Sequence, residues 1–294
     1  MSIYRASHTQ ALLLLVMTNV IWGTTFPLLK DVVSTLSPQA LICTRFLIAA
    51  IALIPFCRHC NRQLLKDSFV LAVPLFLAYL TQVVGLETTP ANRSAFITSL
   101  NVILVPILGV LLGRSLSLPV AIAAALAFTG VGVLSWQGGA FSVGDVWTLG
   151  CAISYASFIL LLEKIAPRQP LVALTTWQII WVAILGLLWS GGNIWQELPA
   201  LQANWGAIVY LGVIATAATT WTQVIAQRSL AATEVAIIYT LEPVFAALFA
   251  FWWLGERLGI RGGLGAGVIL VATLISQLRP GQIYPLLPKI FQRK

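Results

Sequence analysis

The chain has 294 residues, of which 59% are hydrophobic and only 9% are charged, and its formal net charge is +8. Because soluble domains carry about 25% charged residues, this composition excludes a water-soluble globular protein and predicts an integral membrane protein. The basic residues are scattered singly instead of forming a patch, so nucleic acid is not expected as a partner. The cysteines and histidines do not complete a metal site, and no cofactor is expected.

Ten continuous apolar runs follow one another along the chain. Each is close to the roughly 20 residues that a helix needs to cross the hydrocarbon core of a bilayer. Their approximate bounds are 10–29, 38–57, 68–86, 94–113, 118–136, 146–163, 171–190, 205–224, 234–254 and 262–279. The runs lack the alternation of a membrane β-barrel. The sequence therefore predicts an all-α protein with ten transmembrane helices, embedded in a lipid bilayer.

The second half of the chain repeats the first. Thr81-Gln82-Val83 recurs as Thr222-Gln223-Val224, an offset of 141 residues (222 − 81). Five spans per copy is an odd number, so the second copy enters the membrane from the opposite side. We expect inverted repeats at 1–136 and 137–279, followed by a basic cytoplasmic tail at 280–294. Inverted repeats are typical of secondary transporters, whose substrate site lies at the repeat interface near the bilayer midplane.

Basic residues predict the orientation in the membrane. If the N-terminus is cytoplasmic, the inside segments hold twelve Lys and Arg residues and the outside loops hold four, with Arg45 inside a span. Cytoplasmic loops of membrane proteins carry such an excess of positive charge. Both termini are therefore expected in the cytoplasm. We expect a multi-pass protein of the cytoplasmic (inner) cell membrane of a bacterium.

Several short motifs resemble those of a known family. Trp22-Gly23-Thr24-Thr25-Phe26 followed by Lys30 resembles the W-G-x-x-F-x-x-x-K pattern of the EamA-type ten-helix branch of the drug/metabolite transporter superfamily. Pro38 to Arg45 is similar to the second helix of that family. The passage from Gly85 to Pro106 and the stretch Leu241 to Phe245 are similar to its later helices.

This resemblance covers about residues 10–279. One departure is Gly113-Arg114-Ser115, where the family usually has Gly-Glu-Arg. The resemblance implies secondary transport by alternating access, often export of amino acids and other small metabolites, with no fixed substrate. Fold-level analogy does not choose among solutes.

Polar and aromatic residues inside the predicted spans are the candidates for a solute site. A polar side chain in lipid must find a partner or line a wet cavity. The candidate substrate-binding residues are Asn19, Trp22, Tyr79, Gln82, Asn101, Tyr155, Gln223, Tyr239 and Glu242. The offset of 141 residues pairs Gln82 with Gln223 and Asn101 with Glu242. The alternative role for these side chains is hydrogen bonding between helices that only holds the bundle together.

Glu242 is the sharpest single candidate. A carboxylate at the centre of a span costs about 2.5–3.5 kcal/mol on insertion scales, so it requires a partner or a proton. It is a candidate for binding and releasing a proton or an amino group. The alternative is a structural carboxylate that pairs at the Pro243 break, where backbone groups lose their helical partners.

Arg45 lies about seven residues from the outer end of the second span. It is a candidate for attracting a carboxylate or phosphate, because a guanidinium is a fixed bidentate donor. The favoured alternative is structural: Arg45 snorkels outward or pairs with Asp31 or Glu87 near the outer surface.

The leading interpretation is a transporter of a small-molecule solute, with a midplane cavity formed by the first, third, fourth, sixth, eighth and ninth spans. Few charges favour an amino acid; a nucleotide sugar or a drug-like cation is the alternative solute. A passive channel would need a continuous polar lining. An enzyme is not expected, since no serine–histidine or aspartate dyad is present, and no Walker-type loop indicates ATP. Gly263-x-x-x-Gly267 in the last span would permit a homodimer or internal packing.

Overall fold

A computed structural model of the protein describes residues 6–57, 59–89, 91–135, 142–191, 193–254 and 259–276. Every regular element in these residues is helical, which confirms the all-α prediction. The α-helices, in chain order, are α1 (His8–Val32), α2 (Pro38–Leu53), α3 (Arg62–Thr88), α4 (Ala91–Thr98), α5 (Asn101–Leu111), α6 (Leu118–Ser135), α7 (Val143–Ile165), α8 (Leu171–Ser190), α9 (Leu198–Ala203), α10 (Trp205–Val209), α11 (Thr219–Ala226), α12 (Ala232–Tyr239), α13 (Glu242–Leu254) and α14 (Gly259–Ser276). The expected tail at 280–294 and the expected repeat boundary at 136–137 lie outside the described residues.

Within the described ranges, eight helical segments are long and apolar enough to cross a membrane. They are His8–Val32, Pro38–Phe56, Arg62–Thr88, Arg93–Leu111, Val143–Arg168, Leu171–Ser190, Trp205–Ala226 and Ala232–Phe249. Two shorter apolar helices, Leu118–Val133 and Gly259–Ile275, occupy the positions of the fifth and tenth predicted spans. The chain is therefore a multi-pass membrane protein. Several helices extend beyond the predicted apolar cores because they begin at polar N-cap residues.

The first helix of each half begins with the same local device. Ser7 and Ser142 each accept a hydrogen bond from the backbone N–H three residues later, at Gln10 and Asp145. The side chains of Gln10 and Asp145 in turn accept a hydrogen bond from the backbone N–H of the cap residue. This capping box satisfies backbone donors that a helix end would leave unpaired. It fixes where α1 and α7 begin.

The fourth and ninth spans are each interrupted near the middle, and in the ninth span the interruption lies beside the break expected at Pro243. α4 gives way to α5 at Ser99-Leu100, and α12 gives way to α13 at Thr240-Leu241, one repeat offset later. The backbone tightens to three-residue turns there, with Leu100 N–H donating to Ile97 O at 3.1 Å and Leu241 N–H donating to Ile238 O at 3.0 Å. Discontinuous helices of this kind form the solute sites of many inverted-repeat transporters.

The eighth predicted span is also irregular. Between α10 and α11 the chain forms a π-helix over Tyr210–Ala218, in which the Thr216 hydroxyl donates to the Leu211 carbonyl at 2.7 Å. The wider turn leaves the Ala215 carbonyl oxygen accessible to side chains from other helices. Such π segments occur frequently at functional sites.

Glycines bring the two halves of the molecule into contact. A Cβ atom at Gly144 of α7 would lie 2.6 Å from the carbonyl oxygen of Gly85 in α3, so only glycine permits this approach. The close contact aligns α3 with α7. Residues of both helices that lie one to three turns from these glycines face a common cavity. Glycine at helix crossings is a general feature of membrane proteins, because it allows backbones to approach closely.

The last helix packs against α6, where a Cβ atom at Gly130 would lie 3.0 Å from the Gly265 carbonyl oxygen. Gly263 and Gly267 lie on the exposed side of α14, and no described residue lies within 4 Å of a Cβ atom built on either. Internal packing therefore does not account for this glycine pair. A homodimer through α14 stays a prediction.

Candidate functional site

A cavity lies between the two halves of the molecule, within the helical bundle. Its lining consists of Trp22, Thr25, Arg45, Ala78, Tyr79, Gln82, Thr98, Cys151, Tyr155 and Glu242. These residues belong to α1, α2, α3, α4, α7 and α13. All of them except Thr98 and Glu242 lie well inside their helices, and Thr98 ends α4 at the break in the fourth span. Glu242 begins α13 at the break in the ninth span. The interior volume of about 40 Å³ is enough for a few water molecules, each of which needs about 10–15 Å³ by the same measure.

One wall of the cavity is aromatic. The Trp22 ring lies 5.9 Å from the Tyr155 ring and 5.2 Å from the Tyr239 ring, and the Tyr155 and Tyr239 rings are 5.9 Å apart. Edge-to-face and tilted packing at these distances is favourable. Because Trp22 and Tyr155 come from different halves, the cluster fixes the relative position of α1, α7 and α12.

Arg45 faces this wall from α2 and is only 2% exposed. Its Nε donates to the Thr216 hydroxyl at 2.6 Å and its Nη2 donates to the Ala215 carbonyl at 3.2 Å. The guanidinium carbon also lies 4.6 Å from the centre of the Tyr79 ring, a cation–π distance. The expected pairing of Arg45 with Asp31 or Glu87 is wrong, because the π-helix offers nearer acceptors.

The Ala215 carbonyl oxygen joins several helices at one point. It accepts hydrogen bonds from Trp22 Nε1 at 3.2 Å, from Arg45 Nη2 at 3.2 Å and from the Thr219 hydroxyl at 2.9 Å. Gly212, one turn earlier, makes room for this contact, since a Cβ atom there would lie 2.9 Å from the Arg45 carbonyl oxygen. The π-helix thus supports the cavity from behind without lining it.

Glu242 and Gln82 differ from Arg45 in having no protein partner. Within the described part of the chain, neither side chain forms a hydrogen bond or an ion pair, and both line the cavity. The alternative in which the Glu242 carboxylate pairs with backbone at the Pro243 break therefore lacks the contact that it requires. Unpaired polar side chains inside a bilayer are tolerated where they face a wet cavity.

Polar contacts close the bundle on the face of the membrane where α1 begins, here termed the N-terminal face. The Thr18 and Thr222 hydroxyls are hydrogen-bonded at 2.8 Å, and Gln227 donates to the Ile159 carbonyl at 3.0 Å. Nearer the surface, Arg228 Nε donates to the Ala166 carbonyl at 3.1 Å. Each of these contacts joins helices of different halves or neighbouring helices of the second half.

The two faces of the bundle are held by equivalent contacts. On the face opposite the N-terminal face, Arg93 at the start of the fourth span pairs with Asp145 of α7 at 2.7 Å. On the N-terminal face, Glu234 occupies the position one repeat offset after Arg93 (234 − 93 = 141) and lies 3.5 Å from His8 of α1. The first helix of each half thus docks on the start of the fourth span of the other half.

Six of the ten predicted candidates line the cavity: Trp22, Arg45, Tyr79, Gln82, Tyr155 and Glu242. Two more form the layer behind it, since Gln223 donates to the Tyr155 hydroxyl at 3.3 Å and Tyr239 packs on Trp22. Asn19 and Asn101 are buried outside the lining, and Asn19 Nδ2 donates to the Leu15 carbonyl at 2.7 Å. The repeat pairs are therefore unequal: in each pair, one member faces the cavity and the other does not.

Four further residues complete the lining: Thr25, Ala78, Thr98 and Cys151. Thr98 and Cys151 contact each other at 4.0 Å between oxygen and sulfur. Helical spacing was the available signal, because Cys151 precedes Tyr155 by one turn and Ala78 precedes Gln82 by one turn. The second span also contributes to the lining. The eighth span, which was expected to line the cavity, supports the lining from outside.

The sequence places this protein in a family. The model of the EamA-like transporter family matches residues 9–136 and 142–277. An uncharacterized transporter of Archaeoglobus fulgidus is 32% identical over 268 residues, covering 88% of this chain and 83% of that protein. A second uncharacterized transporter of the same organism is 26% identical, covering 88% of this chain and 94% of that protein.

A crystal structure of another protein has the same fold, with a TM-score of 0.74 over 95% of this chain and 99% of that chain, at 16% sequence identity. The family model and the named relatives place the chain in the class of membrane transporters. The chain belongs to the EamA-like transporter family.

Proposed function

We propose that this protein is a secondary transporter that exports amino acids or similar small metabolites across the cell membrane by alternating access. Its ten spans form two inverted repeats, both termini lie in the cytoplasm, and the solute binds in the cavity between the halves. The residues that contact the solute are those of the lining, with Tyr239 and Gln223 positioning Trp22 and Tyr155.

The unpaired carboxylate of Glu242 in the cavity carries this proposal. A charged group in a bilayer marks a solute or ion pathway when it faces a wet cavity instead of a protein partner. Glu242 also sits at the start of α13, directly after the break in the ninth span. Both features are those of the midplane sites of inverted-repeat transporters.

The reciprocal docking of the first helix of each half supports alternating access. One contact at each face of the bundle, Arg93 with Asp145 and His8 with Glu234, joins equivalent parts of the two halves. A motion that separates one of these contacts while the other persists would open the cavity to one side. The narrow cavity also favours a cycle, because a solute of amino-acid size requires the helices to move apart.

Transport by purified protein in liposomes tests this function. Vesicles are loaded with radiolabelled amino acids, and efflux is measured with and without a pH gradient for the wild type and for Glu242→Gln. Saturable flux that follows the gradient and is lost in Glu242→Gln supports a proton-coupled exporter. Flux indifferent to the gradient and to the mutation would make the protein a facilitator, and no flux of any amino acid would overturn the amino-acid assignment.

Gln82→Leu is a matched comparison for Glu242→Gln, because Gln82 is an uncharged, unpaired side chain of the same lining. It alters solute contacts without removing a titratable group. We expect Gln82→Leu to weaken efflux of the solute while the remaining flux still follows the pH gradient.

A further inference from the structure

We propose that Arg45 is the anion-binding residue of the cavity, and that Arg45 and Glu242 together select solutes that carry a carboxylate and an ammonium group. The inference rests on the proposed function, since it concerns the same cavity. It assigns the two ends of the solute to two named side chains.

The hydrogen bonds of Arg45 leave part of its guanidinium available. Its Nε and Nη2 each donate to a neutral oxygen of the π-helix. Within the described residues, its Nη1 group has no acceptor, and Arg45 lines the cavity. A guanidinium offers five N–H donors in a planar fork that matches a carboxylate. Because Arg45 lines the cavity, we infer that the remaining donors are available to a solute there.

The charge of Arg45 is also uncompensated. The Arg and Lys ion pairs among the described residues join Arg93 to Asp145 and Arg114 to Glu163, and none includes Arg45. Thr216, Ala215 and the Tyr79 ring stabilise a cation through dipoles and the ring quadrupole without neutralising it. A buried charge without a counter-ion is costly, so an anionic group that enters the cavity gains from binding there.

The surroundings of Arg45 hold it in one place. The Ala215 carbonyl that accepts from Nη2 also accepts from Trp22 and Thr219, and the Tyr79 ring that faces the guanidinium packs edge-on against Phe46 at 4.9 Å. A pre-positioned donor binds an anion without further loss of conformational freedom. Arg45 is therefore built as a fixed contact and not as a mobile surface charge.

The combination with Glu242 defines the solute class. A simple anion complements Arg45 but is repelled by the Glu242 carboxylate, and a simple cation complements Glu242 but is repelled by Arg45. A solute with both charges satisfies both side chains. Discrimination of this kind depends on a repulsive contact for the wrong solute as much as on an attractive one for the right solute.

Ligand-induced thermal stabilisation of the purified, detergent-solubilised protein tests the assignment. The probes are L-alanine, alaninamide, which lacks the carboxylate, and N-acetylalanine, which lacks the ammonium group. The proteins are the wild type, Arg45→Gln, Arg45→Lys and Glu242→Gln. Arg45→Lys keeps the charge and removes the fork, and it provides a folded comparison if Arg45→Gln is unstable.

The wild type should respond most strongly to L-alanine. In Arg45→Gln the apparent affinity for L-alanine should fall about tenfold or more, as expected for loss of a charged hydrogen bond, while the response to alaninamide is retained. Glu242→Gln should show the converse, with the response to N-acetylalanine retained. Arg45→Lys should fall between the wild type and Arg45→Gln for L-alanine.

Equal losses for all three probes in Arg45→Gln, or no loss for L-alanine, would overturn the role of Arg45, as would a wild type that responds to none of the probes. Flux in liposomes separates this result from the proposed function. If amino acids are transported but the Arg45 variants discriminate among the probes as the wild type does, the proposed transport activity stands and the role of Arg45 is contradicted. Arg45-dependent binding of the carboxylate without flux retains the inference and contradicts the proposed transport activity.

Discussion

Arg114 and Glu163 form an ion pair that joins the loop after the fourth span to the end of the sixth span. The second oxygen of Glu163 accepts a hydrogen bond from the Ala232 backbone at 2.8 Å, so the same carboxylate also holds the start of α12. Arg114 is the position where the sequence departs from the usual Gly-Glu-Arg pattern of the family. The departure therefore creates a contact between the two halves on the N-terminal face.

We expect Glu163→Gln to favour opening of the N-terminal face. The substitution removes the charge that Arg114 requires and weakens the contact to α12. A partly exposed ion pair contributes about 0–1 kcal/mol, so the change in population is expected to be about fivefold at most. Accessibility of a cysteine introduced at Gln227, which lies below the cavity on this face, measures the opening in membranes. Lys164→Gln is the control, because it removes a neighbouring charge without touching this pair.

Gly23 provides a test of the packing between α1 and α13. A Cβ atom there would lie 2.7 Å from Phe245 Cβ and 2.9 Å from the Ala246 backbone nitrogen. Because backbone cannot yield as a flexible side chain can, Gly23→Ala must push the two helices apart. Overpacking costs typically about 1–3 kcal/mol. The melting temperature in detergent should fall clearly.

Gly132→Ala is the matched control for Gly23→Ala. Among the described residues, its Cβ atom would meet only Phe96 Cε2 at 3.8 Å, an ordinary contact distance. Alanine is also the better helix former, so the melting temperature of Gly132→Ala should stay unchanged or rise. An equal fall in both variants would show that the α1–α13 contact adapts more easily than its geometry indicates.

The sequence predicts the helices far better than it predicts how they are interrupted. Apolar runs of about 20 residues locate the spans because the thickness of a bilayer sets their length. The turn at Thr240-Leu241 has a local cause in Pro243, which lacks an N–H to continue the helix. No proline lies beside Ser99-Leu100, so its turn has no such local cause in the sequence.

For the candidate site, too, the sequence predicts the residues better than it predicts their contacts. Trp22, Tyr79, Gln82, Tyr155 and Glu242 were found as polar or aromatic residues inside spans, and the structure brings them to one cavity. The partner of Arg45 was missed because it depends on the π-helix, whose carbonyl positions are a property of the fold and not of a sequence pattern. Asn19 and Asn101 have the right chemistry and depth, but neighbouring helices cover them.

Trp22 has two separable roles, which substitutions can distinguish. Its indole N–H donates to the Ala215 carbonyl, and its ring packs on Tyr155 and Tyr239. Trp22→Phe keeps an aromatic ring and should cost about 0.5–1.5 kcal/mol for the hydrogen bond. Trp22→Ala also removes the packing and should cost about 3–5 kcal/mol. Thermal unfolding in detergent measures both, and similar values for the two variants would contradict a structural role for the ring.

Cys151 offers a native probe of the cavity. It is 3% exposed and lines the cavity beside Thr98, whereas Cys60 is exposed at the surface and Cys57 is half-buried. In a variant with Cys43, Cys57 and Cys60 replaced by serine, we expect slow modification of Cys151 by a small thiol reagent, because the narrow cavity must widen to admit it. A bound solute should slow the reaction further by filling the same space.

The rate of Cys151 labelling, followed by mass spectrometry in membranes, checks this expectation. A variant that retains only Cys60 is the control, since this exposed residue should react quickly and independently of solute. Protection of Cys151 by the transported solute, with half-protection near the concentration that half-saturates transport, would identify the cavity as the binding site. Fast labelling of Cys151 that is insensitive to a saturating transported solute would place that site elsewhere in the protein.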